Sequence, residues 1–454
     1  ETRKQSCHPV APLTFAAAGI EAEVEELLKQ ITPTPESDHT VQQLAQFVRQ
    51  ILRRTIPEVE VVGFASSDLG RGTAFGVAVP EVDIVVNLSP NVLAARLQGR
   101  TAPRSPPVAQ LDARKLQKSA IRACTDRLVS SSSFKFRRSA FRGQEPKVTL
   151  LASASLGIHS DAIPIDFSVN STTPLYNAAL LTECGQLEPR AKSLVLLVRR
   201  WAKDRGVCHA AKGHLSPFAW TLLTIYFLQV GVAGEGPLLP QLEGFELSSM
   251  LAGQPNMEKA VMTGLKAVSS GARKPKWTPP ATGATKKSVA TLFSEFVCFY
   301  GKHFDWRNEA VSVRLGQRAP PDSGLPIHII VHDGDAMTEV GPSIEDPFDR
   351  KRNLGECTTK ASFARMHEEL ARAQELCANK ASLAELLEPW VPPERGCQEQ
   401  GEEERDAPEG ESPEAAAALE AASPAGRPAS QAFHARRAHI TPRQINVAAA
   451  ASQR

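Results

Sequence analysis

The chain of 454 residues is long enough for two or three domains, and its 42% apolar and 22% charged residues are ordinary for a soluble globular protein. Eight scattered cysteines with no C-x-x-C pair exclude a disulfide framework and a structural zinc site, and point to a reducing, intracellular compartment. The formal charge of +2 is uneven: residues 394–420 hold ten acids against two bases, 421–454 hold five arginines and no acid, and the remaining body is basic at +5, which suits a nucleic-acid partner without requiring one.

Residues 1–37 show little pattern beyond a short helix over Ile20–Ile31. Val41, Leu44, Val48 and Leu52 recur at helical spacing and predict an amphipathic helix at 40–54, expected to complete a helical lobe. A strand (59–64), a Ser/Gly-rich turn (65–76) and a short strand, Pro-Glu-Val-Asp-Ile-Val-Val (80–86), follow. After a Pro/Arg-rich loop at 100–107, Leu116, Ala120, Cys124 and Leu128 mark another helix, and strands are expected at 134–138, 147–151 and 163–169. From 174 to about 390 the pattern is helical, with segments at 179–181, 194–201, 218–230 and 361–378 and one strand at 327–332. The longest apolar run, 215–232, is broken by polar residues and reads as a buried helix, not a membrane span. Residues 269–287 form a basic loop. Beyond 391 the Glu-, Ala- and Pro-rich composition predicts disorder. The expected division is 38–172 as a mixed-sheet domain, 173–391 as a helical domain and 392–454 as a tail, hence α+β overall. The first residue is Glu1, so targeting is not judged; the cytoplasm is the first expectation, with mitochondrion and nucleus open.

Side chains alternate along a strand, so Glu81 and Asp83 emerge on one face, and Asp166 occupies the polar face of its own strand. Three converging carboxylates repel one another unless cations lie between them. Two Mg²⁺ or Mn²⁺ ions gripping a nucleoside triphosphate are the usual reason for such a site. Ser66 and Ser67 lie in a turn suited to cradling phosphates, and Arg199 and Lys203, four apart on a helix, project to one side.

Four blocks resemble the template-independent RNA nucleotidyltransferases of the DNA polymerase β superfamily, the terminal uridylyltransferases and poly(A) polymerases. They are V-G-F-A-S-S-D-L…P-E-V-D-I-V-V, I-P-I-D-F-S-V-N, L-V-L-L-V-R-R-W-A-K-D-R-G…G-H-L-S-P-F and I-E-D-P-F-D-R-K-R-N, in the family's order over some 340 residues. The resemblance implies a two-lobed fold with the nucleotide in the cleft. It makes Glu81, Asp83 and Asp166 the metal ligands and assigns Ser66, Ser67, Arg199, Lys203 and Ser216 to the triphosphate. Asn177 would meet the ribose and Phe218 stack on the base, with phenylalanine where relatives carry tyrosine. Asp346, Asp349 and Arg352, in the loop 343–353, would read the base. Arginine can only donate, so Arg352 suits uracil O4 and clashes with the adenine amino group. UTP is therefore the expected substrate and ATP the alternative, with an RNA 3′ end as acceptor. No RNA-binding module is visible, so RNA contact is expected from Arg137, Arg138, Arg142, Lys147 and 273–276, with a protein partner selecting the RNA. Glu81, one methylene longer than the usual aspartate, and Pro217 leave a non-catalytic scaffold as a further alternative.

Overall fold

The computed structural model describes residues 13–65, 82–89, 92, 113–141, 145–171, 173–242, 287–331 and 338–391. The first elements are α1 (Ile20–Ile31), α2 (Pro35–Arg53), β1 (Glu60–Ala65), β2 (Val82–Asn87), α3 (Ala113–Ser130), β3 (Phe134–Ala140), β4 (Lys147–Ala152) and β5 (Ile163–Val169). They continue with α4 (Thr173–Leu187), α5 (Pro189–Asp204), α6 (Pro217–Val230), α7 (Val289–Cys298), β6 (Ala310–Val311), β7 (Ile329–Val331), β8 (Thr338–Val340), β9 (Ser343–Asp346), β10 (Asp349–Asn353), α8 (Lys360–Ala378) and α9 (Leu383–Leu386). The expected tail at 392–454 lies outside the described residues.

Strands β1 to β5 form one sheet in the order β1-β2-β5-β4-β3. Only the central pair, β2 and β5, runs parallel, joined by the crossover through α3 and the β3–β4 hairpin. Alternation sends Ile84, Val86, Val148, Leu150, Ile165 and Phe167 to one face, where they bury against α2 and α3. Burying each such side chain contributes about 1.5–3 kcal/mol before chain entropy is counted. Helix α2 opens on Thr34, whose hydroxyl accepts the Ser37 N–H at 3.1 Å, with Pro35 in its first turn. Its stripe of Val41, Leu44, Val48 and Leu52 is buried on this sheet. The approach requires a glycine: a Cβ on Gly63 would lie 2.6 Å from Val41 Cγ1 and 3.0 Å from Ile84 Cδ1.

The sequence placed this helix with the helical lobe, and the structure corrects that. It is α1 that joins the second core, through Val24, Leu27 and Ile31. Its Glu23 carboxylate accepts the backbone N–H of Leu383 at 2.6 Å, tying α1 to the start of α9. Helix α6 is buried on all sides from Phe218 to Gln229, as expected for the longest apolar run. Around it gather aromatic rings such as Trp201 against Trp220, edge-on with centroids 5.5 Å apart.

A small sheet in the order β10-β9-β6 was not anticipated beyond its loop. β9 and β10 form a hairpin, and β6 runs parallel to β9. Neighbours on β9 point to opposite sides, so Glu345 turns to a buried pair with Arg314 at 2.9 Å while Asp346 turns the other way. The upper face of the large sheet meets this helical part through Val85, with Val62 and Phe64 packed beside it. The polar residues of that face therefore lie where the two cores adjoin.

Candidate active site

One row across the large sheet carries the chemistry. Phe64, Asp83, Asp166 and Thr149 are successive partners on β1, β2, β5 and β4, and Arg138 pairs with Thr149 on β3. Directly paired residues share a face, so backbone register alone puts Asp83 beside Asp166 on the side toward the helices. Two like charges about 5 Å apart cost about 3 kcal/mol at an effective dielectric near 20. Asp166 is buried at 5% exposure and Asp83 is half-buried.

Part of that cost is offset locally. The Thr149 hydroxyl donates to Asp166 Oδ1 at 2.8 Å, and the Lys147 ammonium pairs with Oδ2. Burial alone would lower the Lys147 pKa; the Asp166 and Asp83 carboxylates outweigh it and hold the ammonium above its ordinary value. Lys147 is therefore turned onto the carboxylate row and is not a free cleft-edge contact, although its side chain keeps 41% exposure. Two adjacent carboxylates are hard oxygen donors of the kind that fit Mg²⁺ or Mn²⁺. Glu81, the third expected ligand, lies outside the described residues, among which no group of three metal-capable side chains occurs. Ser66, Ser67, Arg142 and 273–276 lie outside them as well.

The expected triphosphate cations sit on α5. Glu188 caps this helix, accepting the Arg190 N–H at 3.1 Å, and its last three turns are buried throughout. Arg199 and Lys203 are 4% and 2% exposed, which removes the solvated-face reading of the pair. Arg200 serves another purpose, pairing with Asp204 at 2.7 Å. Arg199 Nε and Nη1 are buried without hydrogen-bond partners, an arrangement that costs free energy until an acceptor arrives.

Three further expectations meet mixed outcomes. Asn177 is the fifth residue of α4, so it does not cap the helix, and its buried Oδ1 has no hydrogen-bond partner. Ser216 is the N-cap of α6, where its Oγ accepts the Ala219 N–H at 3.1 Å, so helix capping accounts for that serine. Phe218, for which the resemblance implies stacking on the base, is 5% exposed and packs within the helical core. The stacked pair near these elements is Tyr176 on Phe348, centroids 4.0 Å apart at 25°, one residue from Asn177 and two from Asp346.

Arg352 is the centre of a second cluster. Its Nη2 lies 2.8 Å from Glu145 Oε1, and its Nη1 donates to Asp346 Oδ2 and Thr173 Oγ1, each at 3.2 Å. The guanidinium thus turns to Asp346 and Glu145, not to solvent or to Asp349. Asp346, 2% exposed, also accepts the Phe348 N–H at 2.9 Å. Each of its oxygens thus already accepts one hydrogen bond, from Arg352 and from the Phe348 N–H. Burial pushes its pKa up to about 6 despite the opposing pull of Arg352. Asp349 is exposed and accepts the Lys351 N–H at 3.2 Å.

At the sheet edge Arg137 is exposed, whereas Arg138 Nη1 reaches His209 Nε2 at 3.3 Å. Burial, with the Arg138 and Lys212 charges, pushes His209 down to about 4, so the ring is neutral at neutral pH. Glu145, Thr149 and Thr173 are neighbours of the site that the sequence did not single out, and Lys147, expected at the RNA, turns to Asp166 instead. A basic residue and a threonine alternating on β4 were the only signal, and it becomes legible only once β4 is paired with β5.

A family model described as Cid1 family poly A polymerase matches residues 288–352, which include β9 and most of β10. The chain is 24% identical over 225 residues to the mouse Poly(A) RNA polymerase GLD2, covering 50% of this chain and 41% of the relative. The match therefore spans less than half the length of that protein. Among solved structures, mtPAP in complex with UTP has a TM-score of 0.54 at 16% identity, covering 84% of this chain and 77% of the other. A Cid1 poly(U) polymerase with Mg and 3′-dATP bound has a TM-score of 0.51 at 18% identity, covering 81% and 98%. The fold is accordingly the two-domain polymerase β type, α+β with a mixed sheet and helices.

Proposed function

The chain resembles the terminal nucleotidyltransferase family of Cid1 and GLD2 in sequence and fold, and from that premise we propose that it adds nucleotides without a template to RNA 3′ ends, using UTP in preference. The observation that carries the reading is the register pairing of Asp83 with Asp166 on the face toward the helical core. Asp83, Asp166 and, from the sequence, Glu81 are the proposed ligands of two divalent ions, which would acidify the 3′-hydroxyl and neutralise the triphosphate.

The protein's own groups supply the remainder. Lys147 and Thr149 fix the Asp166 carboxylate in one orientation. Arg199 and Lys203 are the proposed partners of the triphosphate, with Ser66 and Ser67 from the turn. A phosphate oxygen would satisfy the buried Arg199 nitrogens. Asn177 is proposed for the ribose, whose 2′-hydroxyl could donate to the unsatisfied Oδ1. Arg352, held by Glu145 and Asp346, presents donors only, which favours uracil O4 over the adenine amino group. Asp349 is the exposed acidic group left in that loop. A protein partner is proposed for RNA selection. Among the described residues no helix is long and apolar enough to cross a membrane.

Extension of a labelled RNA primer with each of the four ribonucleotides in Mg²⁺ tests the proposal. UTP is expected to be incorporated fastest. Faster extension with ATP would replace uridylyl by adenylyl transfer, the activity that the GLD2 relatives' name describes.

A further inference from the structure

Glu145 stands two residues before Lys147, in the connection from β3 to β4, yet its carboxylate serves the small sheet of the other core. Oε1 lies 2.8 Å from Arg352 Nη2 and also accepts the Thr173 hydroxyl. That hydroxyl accepts in turn from Arg352 Nη1 at 3.2 Å, and the same nitrogen reaches Asp346 Oδ2 at 3.2 Å. The loop before β4, the start of α4 and the end of β9 thus close on one guanidinium from β10. Glu145 is 33% and Arg352 19% exposed at the side chain, so the pair is partly shielded from water.

A free arginine side chain carries about 2 kcal/mol of rotamer entropy, and a guanidinium already held in plane need not lose it when a ligand arrives. Asp346 anchors one side of the fork. Without an anchor on the other side the donors would swing away from the place where a base edge could be read. Building on the uridylyl reading above, we infer that Glu145 is a positioning residue for base selection, fixing Arg352 from the catalytic lobe. Glu145, just before β4, and Lys147, the first residue of β4, then set the base contact and the Asp166 contact from one short stretch of chain. A nucleotide whose base seats against Arg352 meets a carboxylate row whose lysine comes from the same stretch.

The test is a double-mutant cycle on the UTP/ATP ratio of kcat/KM, using the full chain with Glu145→Gln, Arg352→Ala and both together. Glu145→Gln keeps the shape and removes the charge, so the ion pair becomes a weaker hydrogen bond from the guanidinium to a neutral amide. The ratio is expected to fall severalfold, chiefly through a higher KM for UTP. Arg352→Ala lowers it further, and the double variant matches Arg352→Ala alone. An unchanged ratio in Glu145→Gln, or the same fall whether or not Arg352 is present, overturns the inference. Should Glu145→Gln not fold, Thr173→Val removes the bridging hydroxyl and is expected to move the ratio the same way by a smaller amount; no movement there also overturns it. A wild-type preference for ATP would sink the uridylyl reading, yet the cycle would still decide, because Glu145→Gln must then move the ratio in some direction only when Arg352 is present. Where turnover is too slow, the ratio of UTP to ATP dissociation constants takes its place in the same cycle.

Discussion

The Asp83–Asp166 row and the Arg352 corner follow opposite electrostatic plans. In the row, backbone register forces two carboxylates together, and a lysine pairs with one of them. In the corner, side chains from three elements converge on a cation whose partners are already present. Two carboxylates held side by side by register offer oxygen ligands to an outside cation and are suited to catalysis. A satisfied corner gains little from any one ligand, but it is rigid, and rigidity suits discrimination. The difference predicts that damage to the row removes turnover, whereas damage to the corner changes which nucleotide is turned over.

The largest effect is expected at the row. Asp166→Asn or Asp83→Ala should lower extension by more than about a hundredfold, beyond the loss typical of groups that merely support a metal ligand. Circular dichroism and the unfolding midpoint must show the fold retained. At the corner, Arg352→Ala should narrow the UTP preference by about 1–3 kcal/mol, roughly 5–150-fold, with extension itself persisting. Comparable losses of all four nucleotides in that variant would erase the distinction between the two regions. Arg199→Ala and Lys203→Ala should each raise the KM for the triphosphate by about tenfold, with less change in kcat, as for lost ground-state binding. Unchanged KM in both, with stability lowered, would make them structural cations of the helical core.

The smallest effect is a pH dependence. The Asp346 pKa is raised from 3.8 to about 6 in the folded protein, so between those values the folded state binds more protons than the unfolded one. Stability from this group is therefore fully present below the ordinary carboxylate pKa and is lost as pH rises through about 6. Base selection runs the other way, because only ionised Asp346 holds Arg352 by charge. The UTP/ATP ratio should rise between pH 5 and 7 in the wild type and stay flatter in Asp346→Asn. Equal slopes in the two proteins would detach Asp346 from selection.

What could be read in the sequence follows from how local each signal is. The β2 and β5 strands, the α5 cations and the buried α6 were legible, since alternation and helical spacing lie within short windows. The partner of an amphipathic face is not local, which is why α2 was assigned to the wrong core and α1, expected as a helix over the bounds it has, was given no core to join. β10 reads Asp-Arg-Lys-Arg-Asn and carries no apolar alternation, so its pairing with β9 was invisible. The motif gives Phe218 a position, but its burial in the helical core is read only from the structure. Glu145 and Arg352 are brought together only by tertiary structure, and nothing in either segment announces the other.

The most direct test of the central claim compares wild type with a well-folded Asp83→Ala protein, on a labelled RNA primer with Mg²⁺ and each ribonucleotide in turn. The pairing of Asp83 with Asp166 predicts extension by the wild type, fastest with UTP, and none by the variant with any nucleotide. Extension by the variant at a rate near that of the wild type would contradict the assignment of this row as the catalytic site.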